Sequence, residues 1–473
     1  MMRRAGYAPL TALLLSACMV GPDYRPASTP AVAGFQSATP MVASGEATPD
    51  AWWRLYDDPV LDDLIAQAFA ANTDLRVATA NLRRARAVLS EARTARLPTT
   101  TATASAVEAR QTVATPAGPV PFESEFYRLG FDASYEIDLY GRVGRSIQAA
   151  RAEAAAEAAR RDTVAISVAA ETARAYADAC SAARQFAVAD RSLKIQSDSF
   201  DLTERRVAAG RDSPLDAARA RAQVETTRAS LPAFAASRRS ALFRLAVLTG
   251  KPPTEADPRA AACTAPPLLA RPLPAGDGAA LLKRRPDIRE ADRNLAAATA
   301  RIGVATADLY PQISLGGSVT GQGVTPGAAI SNQGFGFSLG PLISWSFPNI
   351  FAARARIRQA EASAEASLAS FDGTVLAALQ DTETALSDYA GTIDRNKALR
   401  AARDQSAEAA RIVRLRYSAG AENFLAVLDA ERTLATADAA LADSDAALTT
   451  SQIAVFKALG GGWAAVPVAT AAR

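Results

Sequence analysis

Cys18 is the side chain whose surroundings point most clearly to a covalent reaction. Two arginines precede a short apolar stretch at residues 8–17, which is shorter than the roughly 20 residues that a transmembrane helix needs. The stretch ends in Leu-Ser-Ala-Cys at 15–18, which resembles a lipobox, the motif at which bacteria attach diacylglycerol to the cysteine thiol and cleave just before it. We therefore expect a lipoprotein signal peptide at 1–17 and a lipidated Cys18. An ordinary secretory signal with an incidental cysteine is the alternative.

The rest of the composition removes most reaction chemistries. The chain has 473 residues and no His, which excludes His-dependent catalytic triads and most zinc sites. Lys and Arg total 52 against 49 Asp and Glu, a balance that argues against a nucleic-acid partner. Cys180 and Cys263 have no metal-like spacing and are expected to be packed or unpaired thiols. Without a phosphate-binding loop or clustered carboxylates, the sequence predicts no enzyme, no metal site and no cofactor.

An internal repeat organises the chain. Arg-Val-Ala-Ala-Gly at 206–210 matches Arg-Tyr-Ser-Ala-Gly at 416–420, and Gly250 matches Gly460 at the same spacing of 210 residues. The segments between and before the repeats are rich in Pro, Gly, Ser and Thr, which is typical of linkers. The predicted order is a signal peptide (1–17), a lipidated strap (18–56), a first repeat (57–250), a linker or equatorial segment (251–278), a second repeat (279–460) and a C-terminal tail (461–473).

Helices dominate both repeats. Residues 145–209 contain no Gly or Pro, so a continuous helix there would be roughly 100 Å long. Apolar residues recur every seven positions from Val427 to Val455, with small residues three positions later, which favours a coiled-coil seam over a plain amphipathic helix. The predicted helices are 59–97, 145–209 and 214–249 in the first repeat, and 286–309, 350–419 and 421–459 in the second.

Four segments alternate between apolar and polar residues, as strands do. They lie at about 98–112, 123–140, 310–320 and 333–347. Alternation over eleven to thirteen residues is long for a soluble strand and typical of a membrane barrel, although a half-buried soluble sheet is the alternative. Four strands cannot close in lipid. Two chains would give an eight-stranded barrel, whose interior is filled by side chains, and three would give twelve strands, the first number that leaves room for a pore. Four chains would give sixteen strands, which arithmetic alone does not exclude.

Several motifs together resemble the outer-membrane efflux family of TolC and OprM, in its NodT-type lipoprotein branch. They cover nearly the whole mature chain. The motifs are Val-Gly-Pro-Asp-Tyr at 20–24, Trp-Trp-Arg-Leu-Tyr-Asp-Asp-Pro-Val-Leu at 52–61, Asn-Thr-Asp-Leu-Arg at 72–76, Arg-Arg-Pro-Asp-Ile-Arg at 284–289, Ala-Arg-Ile-Gly-Val-Ala at 300–305, Tyr-Pro-Gln-Ile-Ser-Leu at 310–315 and Arg-Tyr-Ser-Ala-Gly-Ala-Glu-Asn-Phe-Leu at 416–425.

The resemblance implies a mainly α fold with a transmembrane β-barrel. It implies a homotrimer with two tandem repeats per chain, a twelve-stranded β-barrel in the bacterial outer membrane and a twelve-helix α-barrel in the periplasm. The implied partners are outer-membrane lipid, a periplasmic adaptor protein and an inner-membrane pump of the RND type.

The resemblance also implies which residues form the gate and which contact the adaptor. A gate at the periplasmic end would be formed by Leu425, Asp429, Arg416, Tyr417 and Asn423. The hairpin tips that contact the adaptor would be Gly210, Arg211 and Ser213 in the first repeat and Gly420, Ala421 and Glu422 in the second. The bland alternative is that Asp429 is a solvated flank of the coiled coil and Arg416 a surface charge.

The expected function is the exit duct of a tripartite efflux system. Small toxic molecules would pass through it passively, and docking of the adaptor and pump would open its periplasmic end. A lipid-anchored coiled-coil tether without a pore and a duct for type I protein secretion are the alternatives. The alternating, aromatic-bearing strands argue against the tether, because a tether needs none.

Overall fold

A computed structural model describes residues 19–30, 34–37, 41–43, 46–269, 271–276, 278–347 and 350–464. The predicted signal peptide, Cys18 and most of the predicted C-terminal tail lie outside these residues. The chain divides into two compact units. The first takes residues from 1–28, 81–157 and 290–372, and the second from 29–80, 158–289 and 373–473.

Seven helices account for most of the described residues. They are α1 (Pro59–Ala71), α2 (Thr73–Thr94), α3 (Arg142–Ala208), α4 (Pro214–Leu248), α5 (Pro286–Ala307), α6 (Ile350–Ser418) and α7 (Phe424–Ala458). The two longest, α3 and α6, have 67 and 69 residues. No helix in the described part of the chain is both long and apolar enough to span a bilayer.

The single helix predicted at 59–97 is wrong, because the chain breaks at Asn72. This buried side chain accepts hydrogen bonds from the backbone N–H groups of Asp74 and Leu75, at 3.0 and 3.1 Å, and so caps the start of α2. Its amide also donates to the carbonyl of Leu248 at 3.1 Å, which ties the break to the end of α4.

Four strands form one antiparallel sheet in chain order. They are β1 (Thr99–Thr115), β2 (Gly118–Ile137), β3 (Gln312–Gly323) and β4 (Phe335–Ser344). The first hairpin is longer than predicted, because β1 and β2 continue to a tight turn at Thr115–Gly118, where Gly118 has φ +113°. The fourth strand is shorter than predicted and ends at Ser344.

The register of the sheet places the apolar residues of three strands in shared rows. Phe131 pairs with Val319, and Val319 with Phe337. Residues directly opposite each other lie on the same face of a sheet. The next row, Asp132, Ser318 and Ser338, therefore lies on the other face, where the two serine hydroxyls are 2.8 Å apart. One face is apolar and the other polar, and large apolar side chains of the first face are exposed in the single chain.

The second unit contains the main apolar core. Trp52 is fully buried in a short 3-10 helix at Trp52–Tyr56, and its ring stacks on Phe456 with centroids 4.8 Å apart. The strap and the linker meet in this unit, where Val42–Ala43 pairs in parallel with Leu273–Pro274. The N-terminal strap is therefore partly built into a small sheet.

A disulfide joins Cys180 in α3 to Cys263 in the linker, so the prediction of unpaired thiols is wrong. The two cysteines are 83 residues apart in sequence, and spacing alone gives no sign that they meet. The fold brings them together because the linker packs against the core that α3 helps to form.

The predicted heptad positions form the buried side of α7. Val427, Leu434 and Val455 are buried, and so are the small residues Ser444 and Ser451. The other members of the pattern, Leu441, Leu448, Ala430 and Ala437, are half-buried. The seven-residue spacing thus identified the packed side of this helix.

Candidate functional site: the two hairpin tips

The α3–α4 and α6–α7 turns are built in the same way. Gly210 and Gly420 have φ +69° and +76°, a left-handed conformation that glycine adopts without strain. In each turn the glycine N–H bonds the carbonyl three residues back, and the next N–H bonds the carbonyl five residues back, at 2.8–3.0 Å. These bonds satisfy the last carbonyls of the long helix and end it sharply.

Each returning helix begins with a polar cap. Ser213 accepts a hydrogen bond from the N–H of Leu215 at 3.1 Å, and Asn423 accepts one from the N–H of Ala426 at 3.0 Å. Asn423, which was predicted to belong to a gate, therefore serves in the structure as a helix cap. The tip residues Gly210, Arg211, Ser213, Gly420 and Ala421 are exposed, and Glu422 is half-buried.

Tyr417 joins the two tips to each other. Its ring is buried, and its hydroxyl donates to the Asp212 carboxylate in the first turn. The hydroxyl also lies 3.3 Å from that of Thr203 on α3. Burial and the bond to Asp212 raise the pKa of Tyr417 to about 12, so this hydroxyl keeps its proton at any physiological pH.

Arg206 completes this junction, and sequence reasoning missed it together with Asp212. Its guanidinium binds both Asp212 carboxylate oxygens, at 2.9 and 3.2 Å, and donates to the carbonyl of Tyr417 at 3.0 Å. The guanidinium carbon also lies 4.3 Å from the centre of the Tyr417 ring, in cation–π contact. A signal was present, because an arginine and an acid six residues apart flank both turn glycines.

Arg416 points away from this junction. Its side chain is 60% exposed, and its guanidinium lies 3.6 Å from the Glu422 carboxylate of the same turn. Such an exposed pair contributes little to stability. Within the chain, Tyr417 rather than Arg416 therefore connects the second hairpin to the first.

Leu425 and Asp429 are exposed on one side of α7, four residues apart. The opposite side of the same turns holds Phe424, Val427 and Leu428, which pack around Tyr417. The apolar cluster fixes the start of α7, so the exposed leucine and aspartate are held in a defined direction.

A buried carboxyl lies one half-turn beyond Asp429. Glu431 accepts a hydrogen bond from the Ser199 hydroxyl of α3 at 2.6 Å. Burial raises the pKa of Glu431, whereas the hydrogen bond from Ser199 and the charge of Arg414 on α6 act in the opposite direction. An acid is therefore enclosed between three helices close to the tips.

The start of the described chain lies beside the end of the sheet. Met19 packs so closely on Gly141, four residues after β2, that no side chain would fit at the glycine. The backbone N–H of Val20 bonds the carbonyl of Tyr140 at 3.2 Å, and Arg145 binds the carbonyls of Val20 and Gly21 at 3.1 and 3.0 Å. These contacts fix the residues that follow Cys18.

Comparison with known proteins identifies the architecture. The sequence profile described as "Outer membrane efflux protein" matches residues 64–251 and 279–461, which is most of the chain. The chain belongs to this family. The family consists of efflux ducts and not of enzymes, and the protein is an outer-membrane exit duct.

Individual relatives agree over almost the full length. Nodulation protein T of Rhizobium leguminosarum bv. trifolii is 30% identical over 434 residues, 91% of each chain. Outer membrane protein OprJ of Pseudomonas aeruginosa is 32% identical over 472 residues, 96% of this chain and 95% of OprJ. The solved outer-membrane channel OprN superimposes with a TM-score of 0.88 at 37% identity, over 94% of this chain and all of that one. The predicted NodT-type branch is confirmed by these matches.

Proposed function

We propose that three copies of the chain join their sheets into one twelve-stranded barrel through the outer membrane. β1 and β4 are the edges of the four-stranded sheet. Lipid does not tolerate open edges, so the strands must close between copies. Eight strands would be filled by side chains, and twelve leave a passage. The helices of the same three copies form the periplasmic α-barrel.

The observation that carries this proposal is the exposed apolar face of the sheet. Phe337 and Leu339 are 77% and 76% exposed in the single chain, and Phe131 is 51% exposed. A soluble sheet would bury such a face against a core. A tether without a pore would gain nothing from it, whereas a barrel turns it towards lipid.

The height of the apolar face matches a membrane. Apolar or small residues occupy its rows from Ile137 to Tyr127, and the next row pairs Glu125 with Glu108. The ten steps span about 33 Å along a strand. Tilted as barrel strands are, they give a band about 25 Å tall, as in outer-membrane barrels.

The anchor and the partners complete the proposed duct. A lipid on Cys18 would lie next to Met19, whose contacts with Gly141 are close to the end of the sheet. The duct receives small toxic molecules from a periplasmic adaptor and an inner-membrane pump of the RND type, which supplies the energy. The lipobox branch favours this pump-linked role over type I protein secretion.

The closed end is formed by the second hairpin. Three Leu425 side chains would make an apolar plug at the three-fold axis, and three Asp429 carboxylates an anionic ring that divalent cations could bridge. Like charges brought together oppose closure. Other contacts must therefore hold the end shut. Tyr417 supplies one within the chain, and the exposed Arg416 would supply one to a neighbouring copy. Docking of the adaptor at the tips would release them.

A pair of neighbouring arginine substitutions tests the barrel. Phe337→Arg places a charge on the lipid face and should cost roughly 2–4 kcal/mol per copy near the midplane. Ser338→Arg, its control, places the charge on the polar face and should be tolerated. The amount of trimer in outer-membrane fractions measures both, and equal losses would contradict the proposed register.

Single-channel currents in planar bilayers test the gate. Asp429→Ala should abolish block by divalent cations added from the periplasmic side. The matched control is Arg219→Ala, at the equivalent position of the first repeat. The double variant Arg416→Ala with Tyr417→Phe should raise the resting conductance. If all variants behave as wild type, residues 416–429 do not form the gate.

A further inference from the structure

At the helical end of the apolar face, an aromatic cluster is followed by exposed arginines. Trp345 and Phe347 continue the apolar face of β4 beyond Ser344, with ring centroids 5.1 Å apart. The indole N–H donates to the carbonyl of Leu309 at 3.2 Å, which fixes the ring. Both rings are nevertheless more than half exposed.

Helix α6 begins beside this cluster and brings arginines to it. Trp345 and Phe347 line a cavity of about 190 Å³ together with Ile350, Ala353 and Arg356. Phe351, in the first turn, is 78% exposed.

Arg354 and Arg358 share the face of α6 that exposes Phe351. They follow it by three and seven residues, a spacing that places side chains on one helix face. Both are exposed, and Ala353, on the opposite side, is buried. Arg356 points elsewhere and lies 3.5 Å from the Asp308 carboxylate.

We propose that this surface, formed by Trp345, Phe347, Phe351, Arg354 and Arg358, binds anionic phospholipid headgroups of the inner leaflet. The proposal rests on the proposed barrel. Aromatic rings prefer the boundary between hydrocarbon and headgroups. Arginine matches phosphate in charge and in hydrogen-bond geometry.

The spacing along α6 agrees with the thickness of a headgroup layer. At 1.5 Å per residue, Arg354 lies about 4.5 Å and Arg358 about 10.5 Å beyond Phe351. A headgroup layer is about 5–7 Å thick. Arg354 therefore falls within it, and the long side chain of Arg358 reaches back to it. The nearest acid along this helix is Glu361, three residues beyond Arg358 and seven beyond Arg354.

The opposite end of the apolar face has the other charge. Glu108 and Glu125 pair directly there, and the neighbouring Arg110 is already bound to Glu123 at 3.3 Å. At the helical end of the face the acid Asp308 is already bound to Arg356, whereas Arg354 and Arg358 are exposed. This asymmetry favours anionic lipid at the inner leaflet.

Trp345 provides the probe, because Trp52 and Trp53 are buried and Trp463 stacks on Arg289. The full-length protein would be reconstituted into vesicles in which dibrominated phosphatidylcholine or dibrominated phosphatidylglycerol replaces the unbrominated lipid. Brominated phosphatidylglycerol should quench Trp345 fluorescence at a mole fraction at least about three-fold lower than brominated phosphatidylcholine needs. Trp345→Phe gives the background of the other three tryptophans.

The variants decide whether the arginines cause this preference. Arg354→Gln with Arg358→Gln should make the two lipids quench equally. Arg395→Gln, an exposed arginine 37 residues beyond Arg358 on α6, should keep the wild-type preference. Equal quenching in wild type, or an unchanged preference in the double variant, overturns the lipid site and leaves the barrel intact. If neither lipid quenches Trp345, the proposed barrel is contradicted as well.

Discussion

The two hairpin tips share a backbone but not a set of contacts. Gly210 and Gly420 end their helices with the same pair of hydrogen bonds, and an arginine and an acid flank each glycine. In the first turn the side chains of Arg206 and Asp212 are 20% and 10% exposed, whereas Arg416 in the second is 60% exposed. A repeated sequence has thus given one enclosed ion pair and one exposed pair.

The difference follows from a single position. Tyr417 covers the Arg206–Asp212 pair, and the residue at its place in the first repeat is Val207, which has neither ring nor hydroxyl. The first turn therefore serves as a fixed support, and the second turn inserts a tyrosine into it. Leu425 and Asp429 follow on the inserted helix, so any movement of Tyr417 displaces them too.

The largest expected effect comes from the disulfide of the first repeat, which the second repeat lacks. The disulfide at Cys180 has no counterpart in the second repeat, where position 390 is Ala. Changing both Cys180 and Cys263 to Ser should lower the free energy of unfolding by about 4 kcal/mol, because the bond closes a long loop. Chemical denaturation with and without a reductant measures this, and Ala390→Ser is the control. If reduction leaves the wild-type midpoint unchanged, the disulfide contributes nothing.

The next effect compares the two ion pairs directly. Arg206→Ala leaves Asp212 enclosed without its main partner and should destabilise the protein by about 3 kcal/mol. Arg416→Ala, the equivalent change in the second repeat, should cost less than about 1 kcal/mol. Thermal unfolding of the purified protein compares them. Equal losses would mean that the tips are equivalent, contrary to their contacts.

Sequence reasoning was most successful where one physical rule decides the structure. The segment 145–209, which has no Gly or Pro, became most of α3, and the turn glycines lie where the predicted tips were placed. The heptad pattern found the buried side of α7. These features depend on local propensity and periodicity, which a single sequence displays.

The missed features depend on contacts between distant segments. Asn72 caps α2 and interrupts a predicted helix. The apolar periodicity continues across this cap, so the sequence pattern does not reveal the break. Cys180 meets Cys263 only after the linker has packed. Asp212 connects the two turns because Tyr417, 205 residues away, donates a hydrogen bond to its carboxylate. Arg206 and Asp212 flank the first turn glycine as Arg416 and Glu422 flank the second, but the sequence does not show that Tyr417 covers the first pair.

The smallest effect concerns pH and the helices that follow the tips. Position 431 is a buried Glu, whereas the equivalent position of the first repeat is the exposed Arg221. The pKa of Glu431 is raised by burial, and Arg414 on α6 is the charged group that opposes this shift. In the folded protein Glu431 therefore takes up its proton at a higher pH than in the unfolded chain. Its contribution to stability is full below the unfolded pKa and is lost as the pH rises through the folded one.

Acidification from neutral pH should accordingly strengthen the packing of α7 on α3 and favour the closed end. Glu431→Gln keeps the shape and a hydrogen bond to Ser199 but cannot ionise, so it should remove this pH dependence while preserving the closed state. Arg221→Gln is the matched control and should leave the pH dependence unchanged. Resting conductance between pH 7 and pH 5 measures both variants against wild type. A pH response that survives in Glu431→Gln would assign the proton to another group, such as the Asp429 carboxylates of the proposed ring, which Asp429→Asn would then test.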